Sequence, residues 1–212
     1  EPNAYDIEYK GMDGATLTSK PTQHIYGTDT TINDPTKRGY AFAGWRVNGA
    51  TTAKKGLTLG ATEYTDKITL EATWTANVYT IAYTDMTGVS LANNPTTHTF
   101  GKSTTVGNPT RTGYTFAGWR VSGATTAKKD LTIGATDYAE NITLTPTWTA
   151  NVYTVTYEGM EGATLSPKTT KHTYGTATTI GKPTKTGYTF AGWLVNGKTP
   201  AVTSLNLGAT AY

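Results

Sequence analysis

The sequence predicts a mainly β chain assembled from tandem small domains, and three observations predict it. Gly39–Trp45 (GYAFAGW) returns as Gly113–Trp119 and as Gly187–Trp193 (GYTFAGW), 74 residues later each time. The same offset relates Tyr5, Tyr79 and Tyr153, then His24, His98 and His172, with no insertion or deletion between them. A period of that length marks a tandem array. Composition points the same way: 49 threonines, 14 tyrosines and 5 tryptophans in 212 residues suit half-buried pleated surfaces. Short segments also alternate polar and apolar residues with the period of a strand.

The elements follow in order within one repeat. Val78–Tyr83 places Tyr79, Ile81 and Tyr83 on one face, as Tyr5, Ile7 and Tyr9 do in the first repeat and Tyr153, Val155 and Tyr157 in the third. A glycine-containing loop follows, and then a short strand at Thr97–Phe100, matched by His24–Tyr26 and His172–Tyr174. These two strands are expected to form a hairpin with a long loop. After Thr104–Val106, Pro109 and Gly113 punctuate a turn. GYTFAGW then reads as a third strand, and Gly118 within it predicts a bulge or a close backbone approach, with Trp119 packed over the kink. Asn48-Gly49, Asn196-Gly197 and, more weakly, Ser122-Gly123 predict tight two-residue turns. The stretch ATTAKK fits a short helical turn. Ile142, Leu144 and Trp148 alternate with threonines in a last strand, where Pro146 calls for an edge or a bulge because proline donates no ladder hydrogen bond.

The modules are expected at residues 1–77, 78–151 and 152–212. Only Thr75–Val78 and Thr149–Val152 separate neighbouring repeats, too few and too stiff for a flexible linker. The third module reaches Tyr212, the counterpart of Tyr64 and Tyr138, and has no match for Ile68–Trp74. It is expected to be truncated at its C-terminus, exposing an unpaired edge that another chain could pair with.

Composition limits the function classes. Modules of this size bury a modest share of their surface, and the absence of cysteine removes disulfide staples, thiol catalysis and Cys-ligated zinc together. The net charge of +3 with 16% charged residues leaves no strong electrostatic footprint for nucleic acid. No apolar run approaches the ~18 residues a membrane-spanning helix needs, and no signal peptide opens the chain. The segment reads as a soluble piece of something longer, with no direct membrane insertion.

The order of motifs, a Y-x-[IV]-x-Y strand, a Gly loop, P-T-x-x-G-Y-x-F-x-G-W and I-T-L-x-x-x-W, closely resembles the Listeria–Bacteroides repeat, the family of the internalin B B-repeat. Pro35, Gly39, Tyr40, Phe42, Gly44 and Trp45 stand at its signature positions, as do Pro109, Gly113, Tyr114, Phe116, Gly118 and Trp119, and Pro183, Gly187, Tyr188, Phe190, Gly192 and Trp193. Ile68, Leu70 and Trp74, with Ile142, Leu144 and Trp148, match the closing strand. Glu71-Ala72 and Thr145-Pro146 depart from the family's aromatic-Ala pair, and the segment after GW is richer in Thr and Lys. The resemblance implies a mainly β / α+β fold of tandem β-grasp-like modules, each with at most one short helix. It also implies a place on the bacterial cell surface or in a secreted protein, in tandem copies between a distal domain and an anchor, and no catalytic residues.

The three histidines come one per repeat, so modules about 30 Å across keep them too far apart to share one metal, whose ligands stand about 2 Å away; they read as structural. No Ser/His/Asp arrangement recurs for nucleophilic catalysis, and Glu8, Glu63 and Glu71 lack acidic counterparts throughout. No catalytic, cofactor-binding or metal residue is therefore predicted, and no cofactor. Trp45, Trp119 and Trp193 read as core rather than as a sugar platform. Arg46 with Lys54-Lys55 and Arg120 with Lys128-Lys129 form basic clusters that would attract polyanions; the third repeat has Leu194 and Lys198 alone. Asn141-Ile142-Thr143 fits a glycosylation pattern, yet the first repeat has Lys67 there.

The expected function is a non-enzymatic stalk or spacer of an adhesin-like, extracellular bacterial protein, cell-wall-attached or secreted, whose partners are neighbouring modules of the same parent. The alternative is a binding module for glycans, an anionic wall polymer or a host surface protein. As a stack of near-identical units, the chain should give a small-angle scattering profile of an elongated particle roughly 90 Å long. A compact globule would contradict that expectation.

Overall fold

A computed structural model describes residues 1–209, and no helix occurs among the described residues. The Tyr212 position of the sequence pattern lies outside them. In the first repeat the strands are β1 (Ala4–Lys10), β2 (Ala15–Thr16), β3 (Gln23–Ile25), β4 (Thr30–Ile32), β5 (Thr36–Lys37), β6 (Tyr40–Val47), β7 (Leu57–Leu59) and β8 (Ile68–Ala76). In the second they are β9 (Val78–Tyr83), β10 (Thr97–Thr99), β11 (Thr104–Thr105), β12 (Tyr114–Val121), β13 (Thr132–Ile133) and β14 (Ile142–Ala150). The third contains β15 (Val152–Thr154), β16 (Lys171–Thr173), β17 (Thr178–Ile180), β18 (Trp193–Val195), β19 (Lys198–Val202) and β20 (Leu205–Leu207). The chain divides into two compact units. One comprises Glu1–Ala82, Pro95–Val106 and Thr132–Thr143; the other comprises Tyr83–Asn94, Gly107–Leu131 and Leu144–Tyr212.

In the first unit, six strands make one mixed sheet in the order β2-β5-β6-β8-β1-β3. The closing strand β8 lies in the middle, antiparallel to β6 and parallel to β1. A central strand is covered on both flanks, which explains why Ile68 and Leu70 are fully buried. They join Ile7, Ile32, Phe42, Trp45, Leu57, Leu59 and Ala72 in one cluster, each large side chain contributing about 1.5–3 kcal/mol by leaving water. The expected hairpin is present: Tyr5 faces His24 in β1/β3 and Tyr79 faces His98 in β9/β10. In the second unit Tyr153 likewise faces His172 in β15/β16. Strands β4/β7, β11/β13 and β17/β20 pair antiparallel. The partner strands β7, β13 and β20 leave no signal in the sequence, because two or three residues carry no measurable period.

The glycine inside GYTFAGW acts as the sequence predicts. The β6/β8 register shifts between Phe42 and Gly44, and the β12/β14 register shifts between Phe116 and Gly118. Phe and Trp are three residues apart in the motif, so strict alternation would send them to opposite faces. One extra residue at the bulge turns both inward. Phe42 and Trp45 stack edge to face at 5.4 Å, Phe116 and Trp119 at 5.6 Å, and both tryptophans are 0% exposed.

A third chain segment approaches at the bulge. Trp45 and Lys54 exchange N–H···O bonds of 2.8 and 2.9 Å, as do Trp119 and Lys128. ATTAKK is thus a bent return that meets the bulge through the backbone of Lys54 or Lys128 and not a helical turn. The turns before it are those expected: Asn48 and Gly49 have φ of 49° and 77°, Ser122 and Gly123 46° and 78°, the primed conformation that Asn-Gly favours.

Of the two places expected for Pro146, an edge or a bulge, the structure takes the bulge, inside the sheet. β14 pairs along β12 on one side, while Thr84 N–H donates to Leu144 O on the other. The proline stands opposite Trp119 and next to the bulge. Because Lys128 takes both backbone groups of Trp119, that pair needs no ladder bond from residue 146. The missing N–H therefore loses nothing on this side.

Gly118 has φ 141°, and a Cβ there would lie 2.7 Å from Lys128 N; Gly123 has φ 78° with open space around it. Gly118→Ala should lower stability by about 3 kcal/mol or more in urea unfolding, whereas Gly123→Ala should lower it by about 1 kcal/mol, the left-handed backbone penalty alone. Equal losses would refute the close-approach account.

Candidate functional site: the joint between repeats

The joint is shorter than the sequence suggests. β8 runs to Ala76 and β9 starts at Val78, leaving Asn77 alone between them; Asn151 stands alone between β14 and β15. The four-residue linker of the sequence reading is mostly strand, because Thr75 and Ala76 still pair with Ala41 and Tyr40. Asn77 is held at both backbone groups: its N–H donates to Gly39 O (3.0 Å) and its carbonyl accepts from Phe100 N–H (2.9 Å). In the second unit Asn151 donates to Gly113 O and accepts from Tyr174 N–H, both at 2.9 Å.

An aromatic ring seals each joint. The Phe100 ring lies over Gly39, where an added Cβ would stand 2.3 Å from it, and meets Tyr40 edge to face at 5.3 Å. Tyr174 lies over Gly113 in the same way and meets Tyr114 at 5.1 Å. Arg38 adds a clamp in the first unit. Its guanidinium donates to Thr136 O (2.8 Å) and Asp137 O (3.3 Å) and sits 5.4 Å from the Phe100 ring. The first glycine of GYxFAGW thus serves the neighbouring repeat, while the second makes the bulge inside its own. Sequence reasoning missed this contact, although its signal was present: the aromatic at 26, 100 and 174 keeps the 74-residue register with the glycine at 39, 113 and 187.

The other sequence candidates lie apart from the joint and from one another. His24, His98 and His172 are buried, each with Nδ1 2.8–2.9 Å from the hydroxyl of Thr30, Thr104 or Thr178 in its own repeat. No group of three or more His, Cys, Asp or Glu able to hold a metal occurs among the described residues. Nε2 of His24 and of His98 is buried without a hydrogen-bond partner. Glu8 pairs with Lys67 at 2.8 Å, and that hydrogen bond is the largest cause holding its carboxyl below the usual range. Glu63 accepts the Gly60 N–H at 3.2 Å. Burial pushes the Tyr9 hydroxyl up to about 12 while it donates to Pro21 O. Asn141 Oδ1 accepts the Thr80 N–H, a structural use of the residue in the glycosylation pattern. Arg46, Lys54 and Lys55 are exposed, as are Arg120, Lys128 and Lys129. In the third repeat Val202 takes the place of Lys54 opposite the tryptophan.

A tandem β-repeat protein is the class these features define. The family model of the Listeria-Bacteroides repeat domain matches residues 5–73, 79–145 and 153–207, and the chain belongs to that family. It is 27% identical over 199 residues to a putative membrane protein of Evansella cellulosilytica, covering 91% of this chain and 29% of that one. A putative Gly-rich membrane protein of the same organism is 28% identical over 200 residues, covering 90% and 22%. Internalin H of Listeria monocytogenes is 40% identical over 87 residues, covering 40% and 15%. The chain spans less than a third of each of these relatives. No solved structure matches it. No helix among the described residues is long and apolar enough to cross a membrane.

Gly39, Gly113 and Gly187 share φ of 78–79°, but only the first two carry a ring; nothing lies within 4 Å of the Gly187 position. Alanine at 39 or 113 should therefore cost about 2 kcal/mol more in thermal or urea unfolding than alanine at 187, since the backbone penalty cancels and only the ring clash differs. Equal costs at all three sites would remove the ring from the account of the joint.

Proposed function

We propose that the chain is a non-enzymatic spacer segment of an adhesin-like bacterial protein, secreted or held at the cell surface, built from modules 1–77, 78–151 and 152–212. Its work is to keep neighbouring repeats in fixed register. One observation carries this reading: a single residue joins consecutive repeats, and both its backbone groups are hydrogen-bonded, as Asn77 is to Gly39 and Phe100. A joint with no free backbone group and a ring wedged on glycine resists bending, and nearest-neighbour interfaces then add to each repeat's own stability. The name internalin H of one relative and the membrane-protein names of two others support an extracellular or envelope setting.

Hydrogen exchange tests this function directly. The amides of Asn77 and Asn151 should be protected about as well as strand amides, at least 100-fold over an open loop. Exchange at the rate of the Gly14 amide would sink the spacer reading.

One observation favours a second role. The return of Lys54 and Lys128 to the bulge holds two lysines beside Arg46 and two beside Arg120, all exposed. Such clusters suit an anionic wall polymer or glycan. Salt-sensitive binding of an anionic polysaccharide, lost on replacing Arg46, Lys54 and Lys55 by glutamine together with their second-repeat counterparts, would establish it. Silence at high protein concentration would leave the spacer alone.

A further inference from the structure

We propose that the first repeat is built to carry tension: a pull along the chain loads its entry and exit strands in shear. Protection of the joint and shear inside a repeat are independent, so either can fail alone. β1 brings the chain into the repeat and β8 takes it out, and the two lie side by side and parallel. Their register runs from Ile7↔Ile68 to Lys10↔Glu71. Ala4 lies before the first paired position and Ala76 beyond the last, at opposite ends of the pair. A pull on the chain therefore draws β1 one way and β8 the other, along the strand axis.

The direction of pairing decides the response. Entry and exit strands paired antiparallel would share one end, and tension would open them bond by bond. In a parallel pair the ladder bonds are evenly spaced between the strands, and a pull along the axis strains them together. Forced unfolding is set by the barrier to leaving the native state and not by equilibrium stability. The parallel arrangement raises that barrier along the axis on which a tandem array is pulled.

Several contacts oppose sliding. Ile7 is buried, and Ile68 and Leu70 are fully enclosed; a slip of one residue would turn such side chains to the opposite face. β1 is bonded on its other side too, from Ala4↔Ile25 to Asp6↔Gln23 along β3, and Ile7 N–H donates to Thr22 O at 2.8 Å. Drawing β1 out strains both ladders. β8 is held along β6 from Tyr40↔Ala76 to Val47↔Leu70. The Trp74 indole N–H donates to Gly11 O at 2.8 Å, which ties the far end of β8 to the residue that follows β1. At the near end Lys67 Nζ meets Glu8 Oε2 at 2.8 Å. The second repeat keeps a bond of this ladder, from Thr84 N–H to Leu144 O at 3.0 Å.

Single-molecule pulling tests the proposal on the whole 212-residue chain. The chain has no cysteine, so two introduced cysteines fix the direction of the pull. Handles at Ala4→Cys and Thr75→Cys load β1 against β8 in shear. Handles at Ala4→Cys and Asp66→Cys grip neighbouring ends and peel the same strands apart. All three positions are exposed. At one pulling rate the shear pair should rupture at roughly twice the force of the peel pair, because its bonds break together. The rupture should release about 240 Å of extended chain in a single step. Equal forces in the two directions, a lower force in shear, or release in a series of small steps would overturn the proposal. If Ala4→Cys disturbs β1, Asp6→Cys replaces it against the same two partners, with the same expectation.

Discussion

The bulge at the second glycine of GYxFAGW is the constraint on which the rest depends. A flat strand cannot present residues three apart to one core. Without the extra residue at Gly44 or Gly118, either the phenylalanine or the tryptophan would face water. With it, both rings turn inward, the Trp indole N–H reaches a backbone carbonyl (Asn33 O at 3.1 Å, Gly107 O at 2.9 Å), and the strand's outer backbone is freed to pair with Lys54 or Lys128. Only glycine permits the backbone angle and the close approach together.

The joint applies the same economy between repeats. The first glycine of the motif lacks a Cβ so that a ring from the next repeat can lie on its backbone, and the single asparagine uses its own N–H and C=O on both sides. Stability and register thus come from one set of groups. A longer linker would relax the register without improving either core, because neither repeat draws core residues from the connecting asparagine.

The third repeat shows that local contacts position the ring group. The backbone angle of Gly192, the Tyr157–Trp193–Phe190 ring group and the His172–Thr178 pair match the first two repeats, while Trp193 is only half-buried and Tyr188 is 73% exposed. Local hydrogen bonds, such as Trp193 Nε1 to Gly181 O at 3.0 Å, are enough to position the rings.

The sequence by itself determined the repeat, the family, the mainly β class, the hairpin, the primed turns and the bulge. Each of these rests on local chemistry: period-two alternation, Asn-Gly and Ser-Gly pairs, and a glycine in a strand. The tertiary structure alone decided that ATTAKK returns to the bulge, that Pro146 takes the bulge rather than an edge, that the connection between repeats is one residue and that Gly39 lies under Phe100. Those outcomes depend on which distant backbone groups meet. Lys54 pairs across nine residues and Gly39 across sixty-one, and no local pattern encodes such a partner. The buried histidines fall between the two: their register was visible in the sequence, but the enclosing hydroxyl of Thr30, Thr104 or Thr178 became visible only once the hairpin closed.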